Sequence, residues 1–146
     1  MEIQRPPVIV AGKQAGYAKG AKVMGARGFV ALAGSVPIDV GTGKIPDDMG
    51  ERARIVMQNI KDRIEEYGSS LKNILIWRRY IVGDFPNGVI NDPKYQEMDK
   101  ALQDFWRENC PEFLRENNPP ASTLLGVPSL AQSGFSLEIE VVAAIE

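Results

Sequence analysis

The chain has 146 residues, a length suited to one domain. It carries 17 basic and 19 acidic residues, a net charge of −2, no histidine and one cysteine. These counts exclude a histidine-based triad, a zinc site of histidines or several cysteines and an internal disulfide framework, and they disfavour a broad basic face for nucleic acid.

The opening MEIQRPPVIV lacks the charged-then-apolar layout of a leader, and Pro6 and Pro7 restrict Met1–Val10 to a polar lead-in or an edge strand. Beyond it, small, polar and apolar residues alternate around Ala21, Val23, Phe29, Ala31 and Ala33. That pattern predicts two short strands, with a hairpin turn at Ala26-Arg27 between Gly25 and Gly28. The glycine density points to close approach of backbone to backbone or to a ligand. Val40 to Asp48 is a loop, and Asp48 followed by Glu51 gives a capping-box-like helix start. Apolar residues then recur at Met49, Ala53, Val56, Met57, Ile60, Ile64 and Tyr67, the spacing of a helix that stops at Gly68.

ILIWRRYIVGD, Ile74 to Asp84, predicts a strong strand, followed by the loop FPNGVIN. Asp92-Pro93 opens a second helix with Tyr95, Met98, Leu102, Phe105 and Trp106 on its apolar side, closed by Cys110-Pro111. After the turn-rich RENNPPAST come a short strand, STLLGV, and a last strand from Leu137 to Ile145. In that strand Leu137, Ile139, Val141, Ala143 and Ile145 alternate with Glu138, Glu140, Val142 and Ala144. No apolar run reaches the roughly 18 residues of a membrane span. The expectation is a single soluble cytoplasmic domain over 1–146, of α+β class, in two layers: a mixed sheet with two helices on one face. Trp77, Ile81 and Val142 are expected to give the other face apolar surface that the helices leave uncovered, a physical reason for self-association.

Several motifs fail. GTGK at Gly41–Lys44 has Ile38 where a phosphate loop needs glycine, and Ile45 follows the lysine. The glycines between Gly20 and Gly28 have no βαβ surroundings for a dinucleotide fingerprint. Asp47-Asp48 read as helix capping rather than a cation site, and Cys110 has no histidine to activate it. No metal and no cofactor is expected. Trp77 and Trp106 read as packing residues.

Three segments resemble the Rid family, also called the YjgF or L-PSP family: GYAKGAKVMGARGFVALAGSVPIDVGTGKI, QNIKDRIEEYGSSLKNILIWRRYIVGDF and PPASTLLGVPSLAQSGFSLEIEVVAAIE. The resemblance covers most of the chain in order. It implies a chorismate-mutase-like fold and a homotrimer whose sheets form a central barrel with three clefts between subunits. Members of the RidA type hydrolyse reactive enamines and imines, such as 2-aminoacrylate, to keto acids and ammonia. Their arginine just after Pro-Ala grips the substrate carboxylate in a two-pronged manner. Here that place is held by Ala121-Ser122-Thr123 and the arginine is missing, so the chain reads as a divergent member with a different substrate.

By the same resemblance Glu138 corresponds to the cleft glutamate that positions or activates water, and Tyr17 to the cleft tyrosine. Gly34 and Ser35 fall where the family has Gly-Gln near the substrate, and Asn91 resembles the cleft asparagine. A protonated C=N carbon is already electrophilic, so one carboxylate and a few dipoles suffice for its hydrolysis. On this reading Glu138 is the acid/base, Ser122 or Thr123 donates to the substrate, and Tyr17 closes the cleft. Glu138 and Glu140 are otherwise the polar face of a strand. Arg78 and Arg79 point to opposite faces of theirs, so one of them can supply the missing anion-binding arginine, with Arg79 the assigned candidate and Arg115 another; an inter-subunit ion pair or a solvated stem is the alternative. The expected function is an enamine/imine deaminase acting on a small molecule, with no nucleic-acid or membrane partner. A non-enzymatic metabolite-binding trimer is the rival, and a ribonuclease the least favoured reading on charge and the lack of histidine.

Overall fold

The computed structural model describes all 146 residues. Eight strands and two helices follow in chain order: β1 (Glu2–Gln4), β2 (Pro7–Val10), β3 (Lys13–Ala18), β4 (Lys22–Met24), β5 (Gly28–Ala31), α1 (Met49–Glu66), β6 (Ile74–Val82), α2 (Pro93–Asn109), β7 (Ala121–Val127) and β8 (Leu137–Ile145). The main sheet runs β2-β3-β7-β6-β8-β5, and β1 pairs with β4 in a separate two-stranded ribbon. β7 lies parallel to β3 and β6, while the remaining pairs are antiparallel. The sheet is therefore mixed, as the alternation of strands and helices requires.

The helix boundaries follow from their caps. Asp48 accepts a hydrogen bond from the Glu51 amide at 2.8 Å, and Asp92 accepts from the amides of Lys94 and Tyr95 at 2.9 and 3.1 Å. Both helices lay one face on the sheet. α1 buries Ala53, Val56, Met57, Ile60 and Ile64, and α2 buries Tyr95, Met98, Ala101, Leu102, Phe105 and Trp106. From below they meet Ile74, Trp77 and Ile81 of β6 and Leu137, Ile139, Val141 and Ala143 of β8. Trp106 sits edge-on to Trp77 and Phe113, with ring centroids 5.3 Å apart in each pair. Each of these large side chains, once buried, stabilises the fold by roughly 1.5–3 kcal/mol.

Two expectations are corrected. The strands on either side of Ala26-Arg27 do not form a hairpin: β4 pairs with β1, and β5 crosses to the far edge to pair with β8. Lys13–Ala18, absent from the sequence reading, is a strand as well, so five strands precede α1. Secondly, Trp77 and Ile81 do not enlarge an apolar outer face. They are 5% and 1% exposed, under the helices. The outer face holds Arg78, Tyr80, Glu138, Glu140 and Val142 in the centre, with exposed Phe29 and Leu125 flanking them. It is mixed in character, and the expected trimer rests on the resemblance rather than on a purely apolar face.

Candidate functional site

Register decides which strand residues can meet. Arg79 stands opposite Leu124 and Ile139, on the helix side of the sheet, whereas Arg78 stands opposite Thr123 and Glu140, on the open side. On the helix side, between strands β3, β7 and β6 and the start of α2, lies a cavity of about 750 Å³. Tyr17, Arg79, Ser122 and Thr123, four of the expected site residues, border it together with Gly16, Ile90, Tyr95, Gln96, Asp99, Arg115 and Leu124. Thr123 contributes at the rim, because its register turns its side chain to the open face.

Arg79 is the floor of this cavity. Its Nη1 donates to Tyr95 Oη at 2.8 Å and its Nη2 to Ser122 Oγ at 3.0 Å. The guanidinium lies over the Trp77 ring, 4.4 Å from its centroid. Its Nε is enclosed and has no hydrogen-bond partner, and none of its hydrogen bonds goes to a carboxylate. Burial lowers the Arg79 pKa from its ordinary value, partly opposed by Tyr95 and Asp99 and reinforced by Arg115. The delocalised guanidinium nonetheless remains a cation at neutral pH, as arginine does throughout proteins. Burial raises the Tyr95 phenol, so it stays neutral there; the charges of Arg79 and Arg115 oppose that rise. Tyr95 in turn donates to Asp99 Oδ1 at 3.4 Å, and Asp99 pairs with Arg115. The stem of Arg115 lies on Gly16, where an added Cβ would come within 2.9 Å of Arg115 Cγ. Both neutral partners of Arg79 accept from it. Their own hydroxyl hydrogens are therefore directed elsewhere, that of Ser122 being free to donate to a ligand.

Glu138 is elsewhere. It stands opposite Tyr80 on the open face and extends across the backbone of Gly34. An added Cβ at Gly34 would lie 2.6 Å from the Glu138 carboxyl carbon, so the glycine is what allows the carboxylate to lie there. Nearby, Arg78 Nη1 reaches Glu140 Oε1 at 3.5 Å, and Tyr80 Oη donates to the same oxygen at 2.6 Å. Within one protomer the sheet separates Glu138 from Arg79.

Two expected residues belong to neither group. Ser35 is fully buried and donates to the Val56 carbonyl of α1 at 2.9 Å, which makes it a strut between the sheet and the helix. Asn91 is exposed and donates to the Asn87 carbonyl at 2.7 Å, closing its own loop, while its neighbour Ile90 lines the cavity. Cys110 is buried beside Glu112, and its thiol pKa is pushed up to about 12, mainly by burial, so it is no nucleophile at neutral pH. The sequence reading had not placed Asp99 or Tyr95 in the site. Their i, i+4 spacing on α2 was the available signal, since it puts an acid on the buried side of the helix.

The family model Ribonuc_L-PSP, described as Endoribonuclease L-PSP, matches residues 11–145. The chain belongs to the Rid/YjgF/L-PSP family. Among its relatives is a RutC family protein of Buchnera aphidicola, 38% identical over 118 residues, a match that covers 79% of this chain and 78% of that protein. The YjgF structure from E. coli superposes with a TM-score of 0.65 at 22% identity, over 89% of this chain and 88% of that one. The E. coli TdcF structure with bound serine gives 0.66 at 23% identity, over 97% and 94%. These likenesses establish the two-layer α+β, YjgF-like fold of this Rid-family chain. No helix is long and apolar enough to cross a membrane.

Proposed function

We propose that this Rid-family protein hydrolyses a carboxylate-bearing enamine or imine to a carbonyl compound and ammonia, in clefts formed between the subunits of a homotrimer. One observation carries the reading. Arg79 is a largely buried cation at the floor of a cavity, fixed by Tyr95, Ser122 and Trp77, with no carboxylate in contact. A buried charge without a counter-ion costs stability, and an incoming carboxylate relieves that cost. Its fork-shaped donors suit a carboxylate, and the free Ser122 hydroxyl adds a further donor. Arg79 thus takes the part that the arginine after Pro-Ala plays in RidA-type members, from the neighbouring strand. The serine bound to TdcF is itself an amino acid with such a carboxylate.

In the proposed reaction the substrate C=N group is protonated. Glu138 of a neighbouring copy accepts a proton from water as the water oxygen bonds to the C=N carbon. Glu138 returns that proton to the nitrogen of the resulting carbinolamine, the C–N bond breaks, and ammonia leaves as the C=O bond forms and the hydroxyl proton passes to solvent. Tyr17, exposed at the cavity mouth, closes over the bound substrate. The sheet separates Arg79 from Glu138 within one chain, so in this proposal a second copy supplies Glu138, and the homotrimer is the assembly proposed to bring the two together.

Ammonia release from freshly generated imines tests the proposal. The wild-type protein should accelerate it above the spontaneous rate, and Glu138→Gln should lower kcat by about 10²–10⁴-fold while the product acid still binds. Binding with no turnover by the wild-type protein would favour the rival, a metabolite-binding protein. Sedimentation should give a trimer, and a compact monomer at micromolar concentration would refute the shared cleft.

A further inference from the structure

Charge and shape within the Arg79 cavity restrict what it accepts. Two guanidiniums, of Arg79 and Arg115, face one carboxylate, Asp99, which Arg115 already holds. A single positive charge remains, at the floor. One bound carboxylate neutralises it, whereas a second would add an uncompensated negative charge beside Asp99. The walls above the floor carry Leu124 on the strand side and Tyr17 and Ile90 at the mouth, 43% and 63% exposed, alongside the polar Gln96 and Thr123. Apolar side chains of that size left in water around a charged floor form the usual lining of a small-molecule pocket. On one chain the volume is about 750 Å³, toward the upper part of the roughly 300–1,000 Å³ typical of small-molecule sites, which leaves space for a ligand larger than a three-carbon acid once a neighbouring copy contributes Glu138.

We infer that the cavity selects monocarboxylates with a bulky apolar side chain, branched aliphatic or aromatic, over three-carbon acids and over dicarboxylates. The inference rests on the docking of a carboxylate by Arg79 proposed above. The carboxylate sits on Arg79 and Ser122, and the side chain extends outward past Leu124 to Tyr17 and Ile90. Ser122 leaves room there that a longer side chain on the same strand would fill.

The test is calorimetric titration of the full chain with the 2-oxo acids that such imines would yield. Binding should tighten about tenfold or more from pyruvate to 4-methyl-2-oxopentanoate, the gain expected for buried methyl and methylene groups. Phenylpyruvate should match or exceed the branched acid, and 2-oxoglutarate should bind no tighter than pyruvate. Pyruvate or 2-oxoglutarate as the tightest ligand, or no binding by any acid, would overturn the inference. Arg79→Met should abolish the series. An unchanged order in that variant would mean the acids bind elsewhere, which also overturns it. If Arg79→Met does not fold, Arg79→Lys keeps the charge but loses the fork and should weaken every acid. Ammonia release from the matching imines separates this inference from the hydrolase reading. The expected order of binding without turnover leaves the selectivity standing and removes the hydrolysis. Turnover fastest on the three-carbon imine keeps the hydrolysis and removes the selectivity.

Discussion

The two faces of the central sheet treat neighbouring arginines in opposite ways. Arg78 meets Glu140 at 3.5 Å on the open face, with Tyr80 hydrogen-bonded to the same carboxylate oxygen. Arg79, one residue on, turns beneath α2 and meets a phenol, a serine hydroxyl and an indole ring, but no carboxylate. The first charge is satisfied within the fold and partly exposed, so it contributes little to stability. The second is held in position with no carboxylate in contact, which is the basis for the anion-binding role proposed for it. Adjacent sequence positions thus have distinct physical roles because the pleat alternates and only one face is covered by helices.

The largest effect expected from breaking this asymmetry comes from Arg79→Met. It should reduce kcat/KM by roughly 100-fold, mostly through KM, whereas Arg78→Met should change it by less than about threefold. Steady-state kinetics on both variants checks this, and equal losses would remove the distinction between the faces. Co-refolding Arg79→Met with Glu138→Gln sharpens it further. If each cleft takes Arg79 from one copy and Glu138 from another, random mixing restores roughly a quarter of the clefts. If one chain supplies both groups, mixing restores nothing.

Much of this asymmetry was legible in the sequence, and the reasons are local. Asp48, Gly68 and Asp92-Pro93 set the helices through caps that need only nearby residues, and the alternation from Leu137 to Ile145 set the faces of β8. The Rid-family resemblance placed Tyr17, Ser122 and Thr123, and the i, i+1 rule placed only one of Arg78 and Arg79 on the cavity side. Long-range pairings were not legible. β5 joins β8 rather than β4 because the final strand offers an edge more than 100 residues away in sequence, which local glycine spacing does not encode. Ser35 was misread for the same reason. Its partner is the Val56 carbonyl of α1, and a hydroxyl that serves as a strut has the same sequence appearance as one that binds a ligand. Apolar character alone does not tell which face Trp77 and Ile81 occupy; their register against Val141 and Leu137 puts them under the helices.

A smaller effect is expected on the open face at Gly34. The Gly34→Ala substitution places a methyl group 2.6 Å from both the Cδ and the Cγ of Glu138, so the carboxylate must swing away. A displacement of that kind should lower kcat by about tenfold, with the binding of product acids at the Arg79 cavity unchanged. A rise in KM without loss of kcat would place Glu138 in binding rather than in proton transfer.

The smallest effect concerns Tyr80, and its sign distinguishes a structural group from a functional one. The hydrogen bond to Glu140 is the main cause that raises the Tyr80 pKa above its ordinary value; burial and the Glu140 charge add to it, and Arg78 opposes it. A group whose value is raised by folding contributes stability that is fully present below the unfolded value, near pH 10, and is lost as pH rises through the folded value. Tyr80→Phe removes that contribution. The variant should be less stable than the wild type by roughly 0.5–1 kcal/mol at pH 7 to 9, a modest loss because solvent screens the partly exposed pair. Above pH 10 the gap should close, since the wild-type phenol then ionises beside Glu140 and the bond to that carboxylate disappears. Urea midpoints at pH 7, 9 and 10.5 measure it, with product-acid binding at pH 7 expected to be the same in both proteins. A gap that widens in alkali would show that the Tyr80 pKa is lowered, not raised, by folding, and a loss of acid binding would tie the open face to the Arg79 cavity.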